Sequence, residues 1–320
     1  MSLREKLLCE LEKARASGSA ISGEEIAGKL GVSRVAVWKA VQKLTEEGWE
    51  ILPVKGSGYL PGRPLEVLSE GRIRALLPPG SEDLPVYVYQ STSSTNDRAK
   101  EAAGKGVQRA LFVAESQSAG RGRLGRSFYS PGGTGVYFTY LFSSERPLDE
   151  LFAVTPCAAV AAARAIGEFT GKTVGIKWVN DLYLENRKVC GILTEAITSL
   201  ESGRENRIAV GIGVNLTTGD FPAELAGKAG ALGVMPDRCA LVARIVGYLA
   251  AFERDPGDRG FMEEYTARST VLHKTVELDR WGERIIGKVA GFSRDGGLVL
   301  ETENGETRTF TGGEISLTLV

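Results

Sequence analysis

The chain has 320 residues, 42% hydrophobic and 25% charged, which is the length of two or three domains and the composition of a globular protein. Its 39 Lys and Arg against 40 Asp and Glu leave a net charge of −1, so a polyanion would have to meet a local basic surface rather than a generally basic coat. A single histidine, His273, leaves almost no material for histidine triads or multi-histidine metal sites, and Cys9, Cys157, Cys190 and Cys239 lack metal spacing.

The cysteines read as small buried apolar residues. No apolar run reaches the roughly 18 residues of a membrane span, and the opening "MSLREKLLCELEKARAS" reads as an amphipathic helix rather than a signal peptide. A cytoplasmic protein is expected, with no membrane partner.

The first region, 1–62, reads as three helices and a hairpin. "SGEEIAGKL" carries Ser22 as N-cap with Glu25 as its capping-box partner, "GVS" is a turn, and a longer helix runs from Ser33 to Gly48. Short helix, Gly turn and longer helix form a helix-turn-helix pattern. Val35, Val37, Val41 and Leu44 are expected to face the core, leaving Arg34, Lys39 and Lys43 as a cationic outer face beyond the Ser33 cap. "WEILPVKGSGYLP" reads as a β-hairpin wing with Lys55 near its tip, and the wing favours DNA binding over a helical packing module. Pro61, Gly62 and Pro64 read as a stiff linker, followed by a short connecting helix in "LSEGRIRALLPPG".

The second region, 65–270, alternates strands and helices. "PVYVYQ" is a strand, "STNDRAKEAAGKG" a capped helix, and "RALFVAES" and "TGVYFTYLF" are strands. "LDELFAVTPCAAVAAARAIGEFTG" is a long helix ending at Gly171. Strands in "VGIKWVN", "DLYLE", "KVCGILTEA" and "RIAVGIGVNLTT" follow, the middle two joined at Asn186-Arg187, before two helices in 237–269. Hairpins with helices between them predict an α+β mixed sheet rather than a doubly wound one. The third region, 271–320, predicts five short strands with turns at Trp281-Gly282, Asp295-Gly296-Gly297 and Asn304-Gly305, a small β-barrel.

Between two of the central strands lies "AGRGRLGRSFYSPGGTG", residues 119–135, with three arginines, six glycines and no acidic residue from 116 to 144. Gly120, Gly122 and Gly125 have dinucleotide-fingerprint spacing, but a strand rather than a helix follows, which opposes that reading. A solvated hairpin loop does not account for the missing carboxylates. Glycines let the backbone approach a ligand closely and arginines bring fixed positive charge, a combination suited to an anion.

Four blocks occur in order: "STSSTN" (91–96), "ESQSAGRGRLGRSFYSP" (115–131), "KWVNDLYLENRKVCGIL" (177–193) and "VGIGVNLT" (210–217). Together they resemble the biotin protein ligases, and the flanking regions resemble those of the bifunctional members that also repress biotin synthesis genes. The resemblance implies a winged helix, a class II synthetase-like ligase domain and an SH3-like barrel. It implies biotinyl-5'-AMP made from biotin and Mg-ATP, then biotin transferred to a lysine of the biotin carboxyl carrier domain of acetyl-CoA carboxylase.

By the same resemblance, Ser94, Thr95, Asn96, Gln117, Gly120, Arg121, Gly122, Arg123 and Lys188 bind biotin or its adenylate. Phe128, Lys177, Asn180 and Asn215 lie on the nucleotide side, and Arg123, Lys188 and Asp181 are catalytic, Asp181 acting on the incoming amine. No protein side chain fixes the magnesium. Trp178 reads as core, Val179 replaces a proline common in relatives, and Phe128 stands where some have an adenine-stacking tryptophan. Operator DNA, bound as a homodimer through Ser33, Arg34, Lys39, Lys43 and Lys55, completes the implied partners. A biotin sensor without ligase activity, or a lipoate-type ligase, are the competing readings.

Overall fold

A computed structural model describes every residue except 63–66, 82, 148–149, 199–205, 281 and 318–320. Pro64 of the expected linker and Trp281 of the first barrel turn therefore lie outside the described residues.

Helices α1 (Leu3–Ser17), α2 (Gly23–Leu30) and α3 (Arg34–Glu46) precede a hairpin of β1 (Ile51–Val54) and β2 (Gly58–Pro61). Ser2, Ser22 and Ser33 accept the N-cap bonds, and Gly18 and Gly31 end the first two helices in the left-handed conformation. Only half of the capping box forms: the Ser22 hydroxyl accepts from the Glu25 N–H, while the Glu25 carboxylate reaches forward one turn to Lys29 at 2.8 Å. Val37, Val41 and Leu44 enter the core with Leu7, Ile26 and Trp49. Val35 does not; it is 62% exposed, because two residues of helix turn it about 200° from Val37.

The expected connecting helix, α4 (Glu70–Leu76), is no spacer. Its Arg72 is 1% exposed, wedged between Glu12 of α1 and Asp237 and lying over the Trp49 ring. Glu5 accepts from the Ser69 hydroxyl and the Gly71 N–H.

The central sheet contains β3 (Val86–Tyr89), β4 (Ala110–Ala114), β5 (Gly135–Ser144), β6 (Gly175–Lys177), β7 (Asp181–Leu184), β8 (Arg187–Thr198) and β9 (Asn206–Asn215) in the order β3-β4-β5-β9-β8-β7-β6. Only β3 and β4 pair in parallel, so the sheet is mixed, as the hairpin-rich pattern predicts. The β7–β8 turn is centred on Glu185 and Asn186, both with positive φ, one residue earlier than the sequence suggests. The strand expected in "VGIKWVN" is shorter, ending at Lys177, and the Trp178–Val179 peptide is cis.

Alternation divides the two faces. Leu111 and Val113 of β4 and Ile208, Val210, Ile212 and Val214 of β9 join the large core beneath α6 (Val154–Thr170) and α7 (Arg238–Arg254). Ala110, Phe112 and Ala209 face a smaller core under α5 (Thr95–Gly104). The long Ala-rich helix begins with a 3-10 turn at Glu150–Ala153. The stretch Leu151–Thr170 is long and apolar enough to cross a membrane, contrary to the sequence reading, but it is a core helix with 72% of its apolar window buried.

After α8 (Phe261–Ala267), five strands pair antiparallel in the order β13-β12-β11-β10-β14: β10 (Thr275–Arg280), β11 (Glu283–Phe292), β12 (Leu298–Thr302), β13 (Thr307–Phe310) and β14 (Glu314–Leu317). Four flat strand spacings would separate the edges by about 19 Å. The chain passes from Phe310 to Glu314 within about 14 Å of reach. The sheet must therefore curl, which is the barrel-like shape expected of the strand pattern.

Candidate active site

The site lies on the α5 face of the central sheet, and period-two glycines create it. Along β9, Gly211 and Gly213 share a face with Ala209 and Asn215. A Cβ on Gly211 would come within 2.0 Å of Asn96 Oδ1, and one on Gly213 within 2.4 Å of the Phe128 ring. On β8, Gly191 leaves room for the Lys188 amine and the edge of Phe128. The sequence reading missed these glycines as site-builders. Their signal was present in the alternating "VGIGVN", since glycines within a strand mark close approach.

Lys188 reaches the site through a β-bulge. Asp181 pairs with Gly191 and Leu182 with Cys190, but Tyr183 then pairs with Lys188, so the ladder skips Val189. Regular alternation would turn Lys188 to the opposite face; the extra residue turns it toward Asp181. Its Nζ lies 2.8 Å from Asp181 Oδ1 and 5.9 Å from the Phe128 ring centre.

The inner cavity holds about 420 Å³ of empty space. Ser94, Thr95, Asn96, Gln117, Arg121 and Leu193 contribute to its wall. Ser94 occupies the N-cap position of α5 without a side-chain cap bond. The Thr95 N–H donates to Gln117 Oε1 at 2.8 Å, and the Gln117 amide donates to the Ser130 hydroxyl. Asn96 is 3% exposed; it donates to Glu195 at 2.8 Å and accepts from the Thr139 hydroxyl at 2.6 Å. Thr139 and Glu195, which sequence patterns did not single out, thus hold Asn96 in place.

The outer cavity, with about 1650 Å³ of empty space, is lined by Lys177, Asp181, Asn215 and Lys228 among others. Gly122, Arg123, Phe128, Asn180 and Lys188 line both cavities. Asn215 donates to the Gly230 carbonyl at 3.0 Å, and its side-chain oxygen is buried without a protein partner among the described residues. Lys177 lies over the Tyr183 ring, and the Asn180 amide donates to the Ile192 carbonyl at 2.7 Å.

The Gly-Arg loop closes over the junction. Arg123 donates to Asn180 Oδ1 at 3.2 Å and to the Gly313 carbonyl at 3.0 Å. Burial lowers its pKa, against the opposing pull of Asp181 and Glu314. Arginine stays charged nonetheless, so an arriving anion would compensate a desolvated cation. Arg126 pairs with Glu314, while the half-exposed Arg121 pairs with Asp97 at 3.0 Å. Gly120 lines neither cavity. A Cβ there would lie 2.4 Å from the Phe128 carbonyl, so it serves the loop's own crossing. Trp178 is core, 4% exposed and donating to the Gly296 carbonyl.

Thiol chemistry is disfavoured: all four cysteines are buried, and burial pushes Cys157 and Cys239 up to about 12. In the N-terminal region, Arg34, Lys39, Lys43 and Lys55 are all exposed, and Ser33 is occupied in capping α3.

Residues 88–215 match the Biotin/lipoate A/B protein ligase family, 6–60 an HTH domain and 272–318 the Biotin protein ligase C terminal domain. The chain is 32% identical over 306 residues to the bifunctional ligase/repressor BirA of Bacillus subtilis, covering 93% of this chain and 94% of that one. The BirA of Escherichia coli is 30% identical over 310 residues, 94% of each chain. The structure of Aquifex aeolicus biotin protein ligase in complex with biotin and ATP superposes with a TM-score of 0.60 at 29% identity, covering 73% of this chain and 98% of that one.

Proposed function

The chain belongs to the biotin protein ligases of the bifunctional ligase/repressor type, and from that membership we propose how its residues divide the work. The protein is an ATP-dependent ligase that makes biotinyl-5'-AMP and passes biotin to a lysine of a carrier protein, and a DNA-binding repressor. The carrier is the biotin carboxyl carrier domain of acetyl-CoA carboxylase. The operator belongs to biotin synthesis genes, is bound by a homodimer, and the protein is cytoplasmic. Its proposed domains span 1–62, 65–270 and 271–320.

The observation that carries the reading is the meeting of two cavities at Gly122, Arg123, Phe128, Asn180 and Lys188. Biotin takes the inner cavity, with Ser94, Thr95, Asn96, Gln117 and Arg121 around its polar ring. The nucleotide takes the outer one, with Phe128, Lys177, Asn180 and Asn215 on its side. The reacting carboxylate and α-phosphate then fall beside Arg123 and Lys188.

A carboxylate oxygen of biotin attacks the α-phosphorus, forming the acyl–phosphate bond as the bond to pyrophosphate breaks. Two cations offset the charge that builds on the phosphorus oxygens, and holding both reactants removes much of the entropic cost. In the second step the carrier's amine attacks the acyl carbon and AMP leaves. Asp181 orients that amine and takes its proton. Magnesium enters with ATP in this reading.

The test is biotin-dependent pyrophosphate release from ATP by the purified chain, followed by AMP release on adding the carrier domain. Both are expected. Binding of biotin and ATP without either product would establish a sensor instead, and turnover with lipoate in place of biotin would move the chain to the lipoate-type ligases.

A further inference from the structure

The cations named above for DNA binding do not by themselves select a sequence. Phosphate contacts position a protein on the duplex, while base edges carry the code. The outer face of α3 has more on it than cations. With Val37, Val41 and Leu44 buried, steps of about 100° per residue order the solvent-facing arc as Arg34, Thr45, Trp38, Gln42, Val35, Glu46, Lys39, Lys43. All eight are exposed. Thr45 and Glu46 belong to the last turn of the helix; over the turns before it, uncharged side chains occupy the middle of the arc and cations its margins.

Two of these central residues are large apolar groups in water: Val35 is 62% and Trp38 54% exposed. The helix phase turns both away from the apolar core of the domain. Of the cations of this domain away from α3 and the wing, Arg4, Lys13, Arg15 and Lys29 each pair with a carboxylate, and Lys6 is the exception among the described residues. Among the described residues no carboxylate pairs with Arg34, Lys39, Lys43 or Lys55. An apolar and amide strip bordered by uncompensated cations is complementary to a major groove, whose floor offers thymine methyls and adenine donor–acceptor edges between two rows of phosphates.

We propose that Val35, Trp38 and Gln42 are the sequence-reading residues of the repressor, and that Arg34, Lys39 and Lys43, with Lys55 on the wing, hold the backbone. The proposal rests on the DNA-binding reading and makes it specific. Val35 and Trp38 meet thymine methyls, and Gln42 pairs with the N6 and N7 edge of an adenine. From Val35 to Gln42 the helix rises about 10 Å, which spans about three base-pair steps. A protein surface docked on the same apolar strip is the rival occupant.

The test uses the full chain with biotin and ATP present and a random-sequence duplex library, comparing wild type with Val35→Ala, Trp38→Ala, Gln42→Ala and Lys43→Ala. Wild type is expected to enrich a motif. Gln42→Ala should relax an adenine preference at one position about 10-fold, and Val35→Ala and Trp38→Ala should relax neighbouring thymine preferences. Lys43→Ala should keep the motif, weaken all sequences alike and lower the salt slope by about one.

The same motif and affinity from the Val35, Trp38 and Gln42 variants would overturn the assignment. So would a Trp38→Ala protein that reads DNA normally but no longer dimerises. A wild-type chain that enriches no motif would instead remove the DNA-binding reading beneath the proposal. Because the substituted positions are solvent-exposed on a helix, where alanine is well tolerated, unchanged thermal unfolding of each variant shows that it is folded.

Discussion

Lys188 and Asp181 are each other's counter-ion, 2.8 Å apart and both only partly exposed. This pairing gives their variants opposite signatures. Removing the lysine leaves a carboxylate facing the proposed position of the phosphate, so attraction is lost and repulsion added. Lys188→Ala is expected to slow adenylate formation by about 10²–10³. Asp181→Asn keeps the cation and releases it toward the phosphate, so adenylate should form at nearly the wild-type rate while transfer to the carrier falls. Single-turnover assays of the two half-reactions separate these outcomes. Equal losses in both steps for Asp181→Asn would assign the carboxylate a structural role instead.

On the scale of elements, strand β9 presents alternate large and small residues, and the small side makes the cavity. Asn96 cannot retreat from a new methyl group on Gly211, because Thr139, Glu195 and the Leu193 carbonyl fix it on several sides. Gly211→Ala should therefore lower stability by about 1–3 kcal/mol, the usual cost of overpacking, and weaken biotin binding more than 10-fold. Gly104→Ala is the control: nothing lies within 4 Å of the added carbon, and the position is helical. It should be neutral or slightly stabilising. Denaturant titration and calorimetry with biotin measure both effects. A Gly211→Ala protein indistinguishable from wild type would mean that Asn96 is not held as tightly as its contacts require.

For the whole molecule, the attachment of the winged helix depends on buried charge as well as on the linker. Arg72 of α4 joins Glu12 of α1 to Asp237, the N-cap of α7. The next residue, Arg238, donates to Glu115 at 2.8 Å, two positions before Gln117 in the inner cavity. Charged contacts thus run from the first helix to the end of β4, where the Gly-Arg segment begins. Arg72→Met should destabilise the protein by about 3 kcal/mol or less, since it takes from Glu12, 4% exposed, its buried partner and leaves it the more exposed Arg15. Arg72→Met combined with Glu12→Gln should recover part of that loss. Equilibrium unfolding of the two variants decides; equal destabilisation would show that packing rather than the ion pair carries the contact.

The sequence alone carried the element order, the mixed sheet, the helix caps and the cationic, glycine-rich character of the loop, because these follow from local periodicity and from residue types whose backbone preferences act over a few positions. The Gly-Arg loop, the Ser22 and Ser33 caps and the Ala-rich helix are of this kind. The tertiary structure decided whatever depends on phase or on distant partners. Val35 faces water because helix phase is set by the packing of Val37, Val41 and Leu44. Lys188 faces the site because one bulge in β8 reverses the alternation that a regular strand would give it. Arg72 reads as a helix surface charge from its neighbours, and only the approach of Glu12 and Asp237, 60 and 165 residues away, makes it a buried joint.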